Sequence, residues 1–370
     1  MTDSGQIANP TRLELARRRR GLSKTRTAKL VGVELRTISA YENGEFSPSD
    51  ETLKELARQL RFPVDFFFGP DLEIPNTRVA SFRALSRMSA AERDSALGAG
   101  AVAMLLSDWL DQKFDLPPCD LPDLQPEEPE NAAEALRCQW NLGYRPIKNM
   151  IHLLEAHGAR VFSLAEDTRR VDAFSFWKSD RPMIFLNTAK SPERSRFDAA
   201  HELGHLVLHK HGGPHGLSAG QSVEDQANAF ASAFLMPASS IWATIRTTPT
   251  VTQLVAYKKK WVVSVAALLY RVWKLRVVSD WQYRSMCIQI ADFRANEPEP
   301  AERESSQILH KVFDALRSEG VTKSDVAREL RIHPSQLEEL VFGVIVADGS
   351  KSPPQPSRPT RLRPNLRIVK

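Results

Sequence analysis

Apolar positions recur at three- and four-residue spacing along most of the chain, and only a few short stretches carry β-type residues. The first 113 residues read as short helices, broken by Val31-Gly32-Val33 and by Gly44. Helical spacing returns at 131–140 and 147–157. Three β-type runs follow at 160–164, 173–176 and 183–186. A long helical pattern covers 192–209, and another covers 223–235 until Met236-Pro237 stops it. Residues 250–290 read as helical again. The pattern predicts a multidomain chain: an all-α first part, an α+β middle with a small sheet between helices, and a helical C-terminal region.

Prolines and charge mark the seams. Residues 114–131 hold five prolines, six acids and no base, which reads as a linker or exposed acidic loop. Residues 293–305 form a shorter seam, and 349–370 are Pro-rich and basic. The expected parts are 1–72, a helical connector with an acidic Pro-rich linker over 73–130, 131–245, a helical C-terminal region over 246–348, and a disordered tail over 349–370.

Composition narrows the classes. The 370 residues are 42% hydrophobic and 26% charged, an ordinary globular balance that excludes collagen, coiled coil and wholesale disorder. The longest apolar runs, 101–106 and 262–269, fall far short of the ~18 residues that span a bilayer, so no membrane partner is expected. No basic start precedes an apolar stretch at the N-terminus, and Cys119, Cys138 and Cys287 cannot build a disulfide framework. A cytoplasmic protein is expected. The net charge is +5, yet residues 351–370 alone hold six bases and no acid, and residues 1–70 hold 12 bases against 9 acids. Basic ends on a near-neutral body point to a polyanion, with a solvated face and a solubilising tail as the alternative.

Residues 22–44, LSKTRTAKLVGVELRTISAYENG, place two short helical patterns around Gly32. Gly32 suits a turn with positive φ, Ala28 lets two helices cross closely, and Val33 and Ile38 supply the buried contacts. That is the physical content of a helix-turn-helix. Residues 12–68 also resemble the Cro/repressor-like (XRE) helix-turn-helix family, with Lys24, Ala28, Gly32, Val33 and Ile38 at the family's register. The resemblance implies a recognition helix over 34–40. Arg36, Thr37 and Ser39 would then reach base edges, and Lys24 and the backbone near Asn43 would meet phosphates. Glu34 would accept from a cytosine amino group or cap the helix. Double-stranded operator DNA, bound by a homodimer, is the implied partner; a helical module that binds only protein is the alternative. Residues 321–343 repeat the rhythm, with Lys323, Ala327, Ile332, Leu337 and Gly343 echoing Lys24, Ala28, Val33, Ile38 and Gly44. Arg331 replaces the turn glycine, and Glu338 and Glu339 make the second helix acidic. This copy reads as a protein-contact or dimerisation module.

Residues 201–205 read His-Glu-Leu-Gly-His. On a helix, His201 and His205 lie on one face and can grip a metal ion, with Glu202 beside that face, able to deprotonate a metal-bound water. A helix with two surface histidines is the plain alternative. The third ligand is open between His211 and Glu224. The apolar run Leu206-Val207-Leu208 continues the helix and carries His211 away from the ion. Glu224 opens a new helix after the Gly-rich break at 212–220. Asn228, one turn later, could hold a ligand histidine by its other nitrogen. His209 and His215 are further candidates, with a solvated histidine-rich loop as the other reading.

Residues 196–237, with RFDAAHELGHLVLH and then EDQANAFASAFLMP, resemble the ImmA/IrrE metallopeptidase family, and the likeness covers about residues 130–245. It implies a minimal zincin-like fold and zinc (Zn2+) held by His201, His205 and Glu224, with Glu202 as general base and acid. Asn228 stands where family members carry Asp. The strand at 182–187 is read as an edge for an extended substrate peptide or as a buried core strand. A DNA-binding module fused to a peptidase implies a cytoplasmic regulator that cuts a regulatory protein, such as a repressor, in stress or mobile-element control. A non-catalytic zinc-sensing transcription factor and an antitoxin-like binding protein are the other readings.

Overall fold

The computed structural model describes residues 7–75, 89–125, 127–164, 173–210 and 222–341. No helix among them is long and apolar enough to cross a membrane. They fall into two compact units, one holding the described residues within 7–75, 89–118 and 307–341, the other those within 119–306.

The first unit opens with α1 (Pro10–Arg19), α2 (Lys24–Val31), α3 (Leu35–Asn43) and α4 (Asp50–Leu60), closed by a 3-10 turn at Val64–Phe68. Side chains written into the sequence set the ends. Ser23 and Ser49 accept from the backbone N–H groups of Arg26 and Thr52, and Gly32 adopts φ 75° where α2 stops. Ala28 and Ile38 are buried at the crossing and Val33 is half-buried. Helix α5 (Ala90–Lys113) starts from a capping box of Ser89 and Glu92. It was expected as part of a connector. Instead, nearly every side chain from Ser95 to Leu106 is buried, and the helix packs along α1, with Ser95 Oγ donating to the Arg19 carbonyl at 2.8 Å. A helix apolar on all sides must be covered, and this one forms the spine of its unit.

The second unit is α+β. It holds α6 (Pro129–Gln139), α7 (Met150–Ala156), β1 (Arg160–Ser163), β2 (Ala173–Lys178), β3 (Arg181–Leu186), α8 (Pro192–Leu208), α9 (Val223–Leu235), α10 (Ala238–Thr244), α11 (Val251–Trp261), α12 (Val265–Lys274) and α13 (Asp280–Gln289). The strand order is β1-β3-β2, with β3 parallel to β1 and antiparallel to β2. The strand at 182–187 is therefore central, because β1 and β2 already occupy both of its sides, and it is no edge for a substrate. One hydrophobic core runs from Leu121 to Ile290 and takes in α11 to α13.

The seams also differ from the sequence reading. In the expected linker at 114–131, Phe114, Leu116 and Leu121 are buried, and the N–H of Leu124 donates to the Val207 carbonyl at 2.8 Å. Apolar residues between the prolines give this stretch a place to pack. The region expected as 246–348 divides, since α11 to α13 belong to the second unit while α14 (Gln307–Ser318), α15 (Lys323–Glu329) and α16 (Pro334–Val341) belong to the first. The acidic segment between them is bound to the second unit. The Lys258 ammonium, itself buried, pairs with Glu193 at 2.9 Å and Glu297 at 3.1 Å, and Glu304 pairs with Arg196 and accepts from the N–H of Met150. Helices α15 and α16 repeat the α2–α3 turn: Ile332 N–H donates to Ala327 as Val33 N–H does to Ala28, and Arg331 takes φ 55° at the position of Gly32. Gly343 and the tail 349–370 lie outside the described residues.

Candidate metal centre and nucleic-acid interface

Helix α8 starts at Ser191, whose side chain accepts from Arg194 N–H, with Pro192 in its first turn, and it stays helical to Leu208. His201 and His205 therefore share a face, with ring centroids 4.6 Å apart. Helix α9 begins with a capping box of Ser222 and Asp225, which puts Glu224 in its first turn. The two helices cross at Gly204. A Cβ there would lie 3.0 Å from the Phe230 ring and 3.3 Å from the Ala227 backbone, so glycine permits the approach.

The crossing brings His201, His205 and Glu224 together, with ligand atoms within 4.8 Å of one another. The two Nε2 atoms are 3.0 Å apart, and Glu224 oxygens lie 3.6 Å from His201 Nε2 and 3.4 Å from His205 Nε2. Tetrahedral zinc with ~2.1 Å bonds needs ligand atoms ~3.4 Å apart, so the donor set and spacing fit that ion. Burial alone would raise the Glu224 carboxyl, but its bonds to both histidines outweigh burial and hold it below its ordinary value. Burial opposes a proton on His201, yet Glu224 and Glu202 together raise its pKa. His201 Nδ1–H donates to Asn228 Oδ1 at 3.0 Å. His211 and His215 lie outside the described residues.

Two partners, Ser175 and Gln226, went unread in the sequence, and a third, His209, was read only as a further metal candidate or part of a solvated loop. Ser175, on β2, donates from Oγ to Glu202 Oε2 at 2.7 Å, and Glu202 is 2% exposed. No local pattern links residues 27 positions apart. His209 caps the end of α8, half-buried and not in a solvated loop, with Nδ1 3.3 Å from His205 Nδ1; burial lowers its pKa. Its spacing of four from His205 was the available signal. Gln226 accepts from the other nitrogen of His209 at 2.8 Å.

In the first unit, α3 presents Arg36, whose side chain is 85% exposed, with Thr37 and Ser39 half-buried and Asn43 exposed. Glu34 precedes α3 but its side chain caps nothing; it pairs with Arg36 at 2.7 Å. Lys24 is tied inward to Glu42, which also holds Arg17. Leu35, also unread in the sequence, is exposed in the first turn of α3.

Two family models match. One, described as helix-turn-helix, covers residues 13–67. The other, a peptidase family described as the IrrE N-terminal-like domain, covers residues 154–272. The chain carries both domains, in that order. The IrrE N-terminal-like domain spans the whole cluster and runs past the expected end at 245 into α12, as does the packed core. The helix-turn-helix domain spans all six candidate DNA contacts. A comparison with curated proteins gives no significant match.

Proposed function

We propose that the protein is a DNA-binding regulator that is also a zinc-dependent endopeptidase, cutting a regulatory protein such as a repressor in stress or mobile-element control. The convergence of His201, His205 and Glu224 beside Glu202 carries this reading. His201, His205 and Glu224 would hold zinc, which would supply a Lewis acid for the scissile carbonyl and lower the pKa of a bound water. Glu202 takes a proton from the attacking water at a carboxylate oxygen and returns it to the leaving amine. Ser175, donating to Glu202 Oε2, fixes the direction of that carboxylate. Asn228 orients His201 through its second nitrogen.

The helix-turn-helix domain reads a two-fold operator as a homodimer in the cytoplasm. Arg36, Thr37 and Ser39 meet base edges; Lys24, once released from Glu42, and the backbone near Asn43 meet phosphates. Glu34, paired with Arg36, holds that guanidinium until a base competes for it. The test compares cellular protein levels with wild type and Glu202→Gln under DNA damage. A protein that disappears only with wild type is the substrate. Identical protein levels in both strains under every stress applied would contradict a peptidase.

A further inference from the structure

We infer that His209 and Gln226 decide which nitrogen of His205 carries its proton, and so hold His205 in the form that binds a metal. The inference rests on the zinc site proposed above. His205 Nε2 faces the cluster, 3.0 Å from His201 Nε2 and 3.4 Å from Glu224. Its Nδ1 points the other way and meets His209 Nδ1 at 3.3 Å. His209 Nε2 meets Gln226 Oε1 at 2.8 Å, and Gln226 is 8% exposed.

The donor assignments follow from the end of this relay. An amide oxygen only accepts, so His209 Nε2 must carry a hydrogen. A neutral imidazole has one ring hydrogen, which leaves His209 Nδ1 bare. That bare nitrogen needs a donor, and His205 Nδ1–H supplies it. The Nε2 lone pair of His205 is then directed at the cluster, the form a metal requires. Turning the Gln226 amide over reverses every bond. Gln226 would donate to His209 Nε2, His209 Nδ1–H would donate to His205 Nδ1, and the proton would move to His205 Nε2, where it blocks the ion. Heavy-atom positions barely change between the two arrangements, so the single acceptor Gln226 Oε1 sets the state of a ligand two bonds away. Helix α9 thus supplies Glu224 to the cluster and an amide acceptor for each histidine, Asn228 directly and Gln226 through His209.

The test measures zinc affinity of the full chain by competition with a chromogenic chelator. Gln226→Glu, which can only accept in its ionised form, should keep wild-type affinity. Gln226→Met, of similar size with no acceptor, should lose about 10- to 100-fold. Melting of the zinc-free proteins checks that both variants fold. Nitrogen-15 shifts of the wild-type zinc form need no variant: the hydrogen should sit on Nδ1 of His205 and on Nε2 of His209. Equal affinity in wild type and Gln226→Met, or a hydrogen on His209 Nδ1, overturns the relay and leaves the zinc site standing. A wild type that binds no zinc overturns both.

Discussion

In the cluster of His201, His205 and Glu224 the polar side chains commit one another. His201, His205 and Glu224 converge, and each imidazole has its second nitrogen engaged, by Asn228 or by His209. On α3 the arrangement is the opposite. Arg36 projects into solvent with Glu34 as its ion-pair partner, itself 69% exposed. The cluster is organised before any ligand arrives, so removing one member leaves the others mispositioned. On the proposed reading α3 would be completed only by DNA, so its contacts should fail singly and by modest amounts.

Substitutions can break this contrast, beginning with the largest effect. Glu202→Gln should retain zinc and lower single-turnover cleavage of the identified substrate by about 10² to 10⁴, the usual share of a general base. Next, Arg36→Ala should lower discrimination between operator and random DNA by ~1 to 3 kcal/mol, read by competition binding at fixed salt. Ser175→Ala should leave zinc content unchanged and slow cleavage by roughly fivefold, about 1 kcal/mol for a hydrogen bond that aims a carboxylate. Uniform small losses across Glu202, Ser175 and Arg36 would erase the distinction.

The smallest effect compares the two copies of the helical turn. Gly32 and Arg331 share a left-handed backbone, at φ 75° and 55°. Gly32→Ala should cost about 1 kcal/mol, and Arg331→Gly should stabilise by up to about 1 kcal/mol, both measured by denaturant melts. The second copy keeps the fold and changes the surface. Glu339 on α16 pairs with Arg19 of α1 at 2.9 Å, and Glu329 pairs with Lys113 of α5. Two of its acidic side chains, Glu329 and Glu339, thus pair inside the first unit.

What could be read in the sequence was what is local. The i, i+4 spacing of His201 and His205, the helix start before Glu224 and the Gly32 turn each depend on a few consecutive residues, and the structure has those helices and that turn. Long-range packing was not legible. Nothing near Ser175 announces Glu202, and nothing in 182–187 says that β1 and β2 take both of its sides. Helix α5 carried a signal in its all-round apolar pattern, yet its partner, α1, begins 80 residues earlier at Pro10 and its own start is Ala90. The stretch before Gln307 read as a seam because its partners, Arg196 and Lys258, are distant in sequence.

The most direct test is metal analysis of purified wild type, Glu202→Gln and Glu224→Ala. Stoichiometric zinc in the first two and none in Glu224→Ala is the expected result, because in the proposed mechanism Glu202 would move protons while Glu224 would complete the ligand set. Full zinc occupancy in Glu224→Ala, or none in wild type, would contradict the metal centre described here.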